Sequence, residues 1–337
     1  METAFAHESE LHRIITEDAG PPVLAVLHGG HSPDAAALSL HTAGAVADAA
    51  TTCGFEAHLV DVHSDALLTL GDKLHACRAI LTLADVPPDA GSLQGLLNYL
   101  DIKYVGAGVA GSSLTAHHLT ARRVLRDVGV PLPAHGQVRA HLNAYDEALR
   151  ITDEANAATI RSRPVTGAWD IRITPALPLD PRVFEDDITA WTGSAVSVDA
   201  LSDLIARAAP FTPLMYESDI VGETLWVAVL DDAEAEPYTL PPRETGEPKA
   251  EQETLVRARD LALRAHRALH LRGVALHRFT RYRTTRLVWR EVQTHPDLSP
   301  TGLLTEMVAA HHGWSYPDLI DDLLGSAITD ALEAGGV

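Results

Sequence analysis

Two glycines, Gly29 and Gly30, follow the apolar run Val23 to Leu27 and precede Ser32, Asp34 and a stretch of helical character. Glycines at a strand exit, just before a helix N-terminus, leave backbone N–H groups open to an anion or a carboxylate. Asp34 falls in the first turn of that helix, where a carboxylate either answers the helix dipole or grips a ligand cation. Arg278 offers a planar guanidinium suited to a substrate carboxylate. His266 and His270 stand at i, i+4, the spacing of a helical metal pair, while His117–His118 and His311–His312 are adjacent and point to different helix faces. Arg257, Arg259, Arg264 and Arg267 surround His266. They describe a solvated helical face, so solvated histidines are the competing reading. Ser39 and Thr42, with histidines nearby, do not form a nucleophile elbow. Cys53 and Cys77 lack CxxC spacing and read as reduced thiols.

Positioning these groups takes alternating strands and helices. Val23 to Leu27, Phe55 to Val62 and Ala79 to Leu83 read as strands, with a helix from about Asp34 to Thr52 between the first two. That alternation implies a doubly wound parallel sheet. Further on, 143–157 reads as a helix, 159–163 as a strand, 199–208 as a helix and 213–217 as a strand. The acidic, proline-rich stretch 231–246 reads as a loop. A long helix over 252–270, a strand pair at 276–282 and 287–291, and helices at 301–311 and 316–331 complete the chain. A length of 337 residues suggests two or three domains. The net charge of −20 argues against nucleic acid or an anionic membrane as partner. No apolar run reaches the roughly 18 residues that span a bilayer. The polar, acidic N-terminus is unlike a secretion signal, so a cytoplasmic protein is expected. The chain has three lysines, Lys73, Lys103 and Lys249, and its positive charge is otherwise arginine.

The stretch Gly91 to Gly136 organises the rest. Leu93, Leu96, Leu97 and Leu100 recur at helical spacing, and Ile102 to Val105 is a short apolar strand ended by Gly106 and Gly108. Ser113 is placed to cap a second helix, whose apolar stripe includes Leu114, Leu119, Val124 and Leu125. Gly129 stands where a helix C-terminus wants a residue free to take positive φ, and Pro131 and Pro133 stop continuation.

This stretch resembles the D-alanine–D-alanine ligase branch of the ATP-grasp superfamily. The family runs G-x-LQG-x-L, then PY-x-G-x-G-V, then Asp-Lys, then a helix finishing G-(L/I/V)-P. The same order appears here as Gly91 to Gly95, Tyr104 to Val109, and Gly129-Val130-Pro131. Around it, Gly29, Gly30, Ser32 and Asp34 match the family's first motif, Pro213 to Glu217 a strand ending in the acid that meets the ribose, and Ile220 to Val229 a G-x-E-x-x-V strand. The resemblance covers roughly residues 20–330. It implies an α/β ATP-grasp fold, α+β in its middle part, with an N-terminal doubly wound pre-ATP-grasp domain. The domains implied are 1–120, 121–225 and 226–337.

The resemblance also implies ATP and Mg2+ as cofactors, a small amino acid or related molecule as substrate, and a homodimer. Activation of a carboxylate as an acyl phosphate, then attack by an amine, is the family's reaction. Carried over position by position, Asp34 would grip the substrate ammonium. His118 and Arg163 stand at the phosphate-lysine positions, Glu217 and Glu223 at the nucleotide acids, and Glu291 and Gln293 at the metal ligands. The metal aspartate falls on Arg278 or Phe279, beside His277. Arg278 would repel magnesium, and Phe279 cannot ligate it.

Other departures accompany that one. The His-Gly pair expected before the LQG motif is missing from 83–91, with Asp89 as a stand-in acid. A Ser- and Gly-rich phosphate loop is replaced by Val165 to Asp170, where Trp169 obstructs the approach of backbone N–H groups to an anion. The mobile lid with its Lys-Tyr pair is missing from its expected place. Two functions stay open: a non-catalytic binding or partner protein, that is, a pseudoenzyme with a degraded Mg-ATP site, and a diverged ATP-dependent carboxylate–amine ligase acting on an unusual amino acid. A third is ATP-independent chemistry by cleft histidines such as His118 and His277.

Overall fold

A computed structural model describes residues 21–29, 33–62, 78–81, 91–160, 171–176, 193–211, 213–231, 236–247, 249–282 and 285–333. The expected strand residues 82–83, Asp89, the replaced phosphate loop and Arg163 lie outside them.

The N-terminal layer forms around β1 (Val23–His28), whose residues from Leu24 onward are all buried. A run apolar on both faces suits the centre of a parallel sheet, covered above and below. Its neighbours are β2 (Glu56–Asp61) and β3 (Arg78–Leu81), both parallel to it, and β4 (Tyr104–Val105) joins outside β3. Helix α1 (Pro33–Thr52) lays Ala43, Val46, Ala49 and Ala50 against this sheet.

The organising stretch supplies α2 (Ser92–Tyr99), β4, α3 (Val109–Ala116) and α4 (His118–Asp127). Ser113 does not cap a helix. The helix already starts at Val109, so Ser113 is internal, and the chain breaks later, at His117. Gly129 has φ +74°, and the amide of Val130 donates to Leu125 O at 3.0 Å. That is the left-handed helix ending its position called for.

The middle layer is an antiparallel sheet with the order β5-β8-β6-β7. It comprises β5 (His135–Val138), β6 (Ile171–Pro175), β7 (Gly193–Ala195) and β8 (Leu214–Ser218), with α5 (Ala144–Ile160) and α6 (Val198–Ala208) packed on one face. Asn143 caps α5, its Oδ1 accepting from Tyr145 N at 3.0 Å and Asp146 N at 3.2 Å. This helix runs through Ile160, so the strand expected from Thr159 does not start there.

The C-terminal layer is built on β9 (Glu223–Asp231), β12 (Val274–Tyr282) and β13 (Arg286–Gln293). The segment 231–246, expected to be a loop, contributes β10 (Pro237–Thr239) and β11 (Arg243–Thr245), which pair with β9. Pro237 opens an outer strand, where a missing N–H costs no ladder bond. Helix α7 (Gln252–Ala268) covers one face of the sheet, and α8 (Leu303–His312) and α9 (Tyr316–Glu333) close the chain. Expected domain limits at 120 and 225 fall inside α4 and β9. Helix α4 packs Ala121 and Leu125 with α7, not on the middle sheet, so the layers change over between 128–134 and 219–222.

Backbone approach is closest at Gly222. A Cβ there would stand 2.2 Å from Arg281 O, on the neighbouring strand. Gly222→Ala must part β9 from β12 and is expected to cost about 1–3 kcal/mol in urea unfolding.

Candidate functional site

Strand alternation decides which side chains of the C-terminal sheet reach the cleft. On β12, Ala275 and Phe279 pack under α7, while Val274 and Leu276 face the N-terminal layer. Arg278 shares the latter face with Trp226 of β9, its guanidinium carbon 5.8 Å from the indole centroid. Directly across the ladder stands Glu291, with Arg278 Nε 3.0 Å from Glu291 Oε1. The ladder then slips: Arg278 pairs with Glu291 and Phe279 with Trp289, so the register skips Arg290. A bulge of this kind re-aims a side chain. Here it accompanies Arg290 turning to the junction with the middle sheet, where Nη1 lies 3.2 Å from Glu217 Oε1 and Nη2 donates to Asp219 Oδ1 at 2.9 Å.

Glu217 is nearly sealed, at 7% exposure, and holds a second arginine. Arg122 of α4 donates from Nε to its Oε2 at 2.7 Å and from Nη2 to the same oxygen. Trp289 lies beneath Arg122, 5.8 Å from ring centroid to guanidinium carbon. Arg172 Nη2 is 3.6 Å from Asp219. Glu223 faces Arg281 at 3.7 Å, and Arg281 also approaches Glu244 at 3.8 Å. Each of these five arginines therefore already faces a carboxylate.

The remaining expected positions separate. Asp34 is exposed on the first turn of α1. Gly29 gives its N–H to Ser39 Oγ at 2.9 Å, which ties the end of β1 to α1, while Gly30 and Ser32 lie outside the described residues. His118 opens α4; desolvation of its ring, then the Arg122 charge, pushes its imidazole down to about 4, although the residue keeps an exposed side. Gln293 is exposed at the end of β13.

His277 corrects the expectation of a cleft histidine. It is fully buried on the α7 side of β12, where Trp289 Nε1 donates to its Nδ1 at 3.2 Å. Its partner in the core is His266, also expected in solvent and instead 1% exposed, with ring centroids 5.8 Å apart. Burial, then Arg267, lowers His266 to about 4, and burial, then His266, lowers His277 well below its ordinary value. His270 is exposed and turned away by a positive φ of 52°. The i, i+4 pair therefore does not converge. Among the described residues no group of three or more His, Cys, Asp or Glu could hold a metal ion. Of the Mg2+ ligands implied at Glu291 and Gln293, Glu291 has the Arg278 guanidinium 3.0 Å away.

The lid was expected within 231–246, of which 232–235 lie outside the described residues. Residues 246–251 alone connect β11 to α7. Glu244 accepts the amide of Ala250 at 2.9 and 3.1 Å, and Lys249 Nζ donates to Gly246 O at 3.2 Å. Sequence reading missed Arg122, Arg290, Trp226 and Asp219. Arg290 inside the mostly apolar run Leu287 to Val292 was the available signal, together with Arg122 beside Ala121 and three residues before Leu125. No helix among the described residues is long and apolar enough to cross a membrane.

A parallel N-terminal sheet, an antiparallel middle sheet and a C-terminal sheet backed by one long helix define an ATP-grasp fold. The crystal structure of D-alanine–D-alanine ligase from Bacillus anthracis complexed with ATP superposes with a TM-score of 0.71 at 17% identity, covering 92% of this chain and 98% of that one. That from Coxiella burnetii gives 0.72 at 17%, covering 93% and 97%. A sequence profile described as the D-ala D-ala ligase C-terminus matches residues 245–325. D-alanine–D-alanine ligase of Acidiphilium cryptum (strain JF-5) is 31% identical over 316 residues, covering 88% of this chain and 95% of that protein. The Desulforudis audaxviator enzyme is 28% identical over 325 residues, covering 89% and 97%. The chain belongs to the D-alanine–D-alanine ligase family.

Proposed function

We propose that this chain is a D-alanine–D-alanine-ligase-like protein whose Mg-ATP site is degraded, and that it serves as a non-catalytic binding or partner protein. The Arg278–Glu291 pair carries this reading. A guanidinium 3.0 Å from Glu291, at one of the two positions on which the metal aspartate falls, repels a divalent ion and faces the acid retained there. The matched arginines support it, since a triphosphate requires cations that are not already neutralised. Of the two lysines among the described residues, Lys103 pairs with Asp101 at 3.3 Å and Lys249 with Glu247 at 3.5 Å. Isothermal titration of the whole protein with Mg-ATP and Mg-ADP is expected to show no saturable heat at millimolar nucleotide. Saturable binding, or ATP turnover with an amino acid that Glu291→Ala abolishes, would overturn the proposal.

A second reading is a diverged ATP-dependent carboxylate–amine ligase for an unusual amino acid. It draws on relatedness to ligases over 88% of the chain and on the retained Glu291. The same titration separates the two. A cytoplasmic homodimer belongs with either reading by family resemblance.

A further inference from the structure

The apolar cores of this protein are unequally shared. One cluster fuses the N-terminal and C-terminal layers, joining Leu24, Ile80 and Val105 to Leu230, Leu276 and Leu324. The middle layer instead keeps its own core, drawn only from residues between 134 and 216 among the described residues. Among the described residues no apolar cluster shared with the other layers fixes its orientation, and the chain enters and leaves it through 128–134 and 219–222.

At that junction stands an ionic cluster, buried at Arg122, Glu217 and Arg290. Arg122 on α4 and Arg290 on β13 belong to the fused body. Glu217 and Asp219, in and just after β8, and Arg172 on β6 belong to the middle one. Arg122 and Arg290 converge on the two oxygens of Glu217, Arg290 continues to Asp219, and Arg172 closes the far side. Arg122 also donates to Arg290 O at 3.3 Å, locking the two cations together. The side chains of Arg122, Glu217 and Arg290 are 9%, 9% and 7% exposed. Charges this dry interact strongly and are weakly screened by salt.

We propose that Arg122, Glu217, Arg290 and Asp219 form a latch that holds the middle layer against the C-terminal layer with no ligand required. Arg122 and Arg290 on one body and Glu217 on the other neutralise each other across the junction, so the relay favours one orientation of two separately cored bodies over others. The latch stands whether or not the cleft takes a nucleotide, and its test is independent of nucleotide titration.

Hydrogen–deuterium exchange on the full chain reads it. In Glu217→Gln, amides of 128–134 and 219–222 are expected to exchange about tenfold faster or more, while Ile171–Pro175 and 214–216 keep their protection. Unchanged exchange at both crossings would overturn the latch. So would a uniform loss across the middle sheet, which would make Glu217 a residue of that layer's own stability. If Glu217→Gln does not fold, Asp219→Asn decides: it leaves the Glu217 pairs in place, and an increase of about threefold or more at 219–222 is expected, with no increase counting against the proposal.

Discussion

Arg278→Asp is expected to give the protein a divalent-cation affinity that the parent lacks. Removing the guanidinium releases Glu291 from its 3.0 Å pair and puts a second carboxylate directly across the ladder from it. The amide of Gln293 lies two residues further along β13. Two carboxylates and an amide oxygen are a hard-oxygen set, and their mutual repulsion is relieved by a bound cation. Mn2+ binding, followed by electron paramagnetic resonance, should saturate with Kd at or below about 1 mM in the variant, against no saturation near 10 mM in the parent. The lost stacking of Arg278 on Trp226 should cost about 0.5–1 kcal/mol or less, so the variant remains testable as a folded protein. Equal binding by parent and variant would mean that Arg278 does not occlude the cation's place.

Acid should weaken the fold through its core histidines. His266 is held to about 4 by burial, against about 6.5 in an unfolded chain. Between those values the unfolded state takes up a proton that the folded state refuses. Stability is therefore fully present above pH 6.5 and declines as pH falls toward 4. Near pH 4.5 this one group accounts for a loss of about 2–3 kcal/mol. His277 acts in the same direction, being lowered further by full burial and by His266. The acid at hand gives little relief: Asp231 Oδ1 is 3.8 Å from His266 Nε2, and its Oδ2 accepts Gly273 N–H at 2.5 Å. His266→Met, close in volume and without a titrating group, should reduce the stability difference between pH 7 and pH 4.5 by about 2–3 kcal/mol in urea unfolding followed by tryptophan fluorescence. An unchanged difference would place the acid sensitivity elsewhere.

Reading the chain without its structure captured what local rules govern. The apolar strand Val23 to Leu27 and the glycine at 129 each declare themselves through one segment's residues, and the structure places both as expected. His266 was readable too: Ala258, Ala262 and His266 stand at i, i+4, i+8 on one buried stripe, and the surrounding arginines drew attention to the opposite face. What escaped depends on registers and distances that no local pattern encodes. Arg122 and Glu217 are 95 residues apart, and Arg290 turns toward Glu217 at a one-residue slip in a ladder. The departure at Arg278 was visible as a substitution, but its closing onto Glu291 required the cross-strand partner.

The six residues between β11 and α7 carry one more consequence. Glu244 accepts the Ala250 amide across this connection, so the end of β11 and the start of α7 are expected to gain and lose hydrogen-exchange protection together.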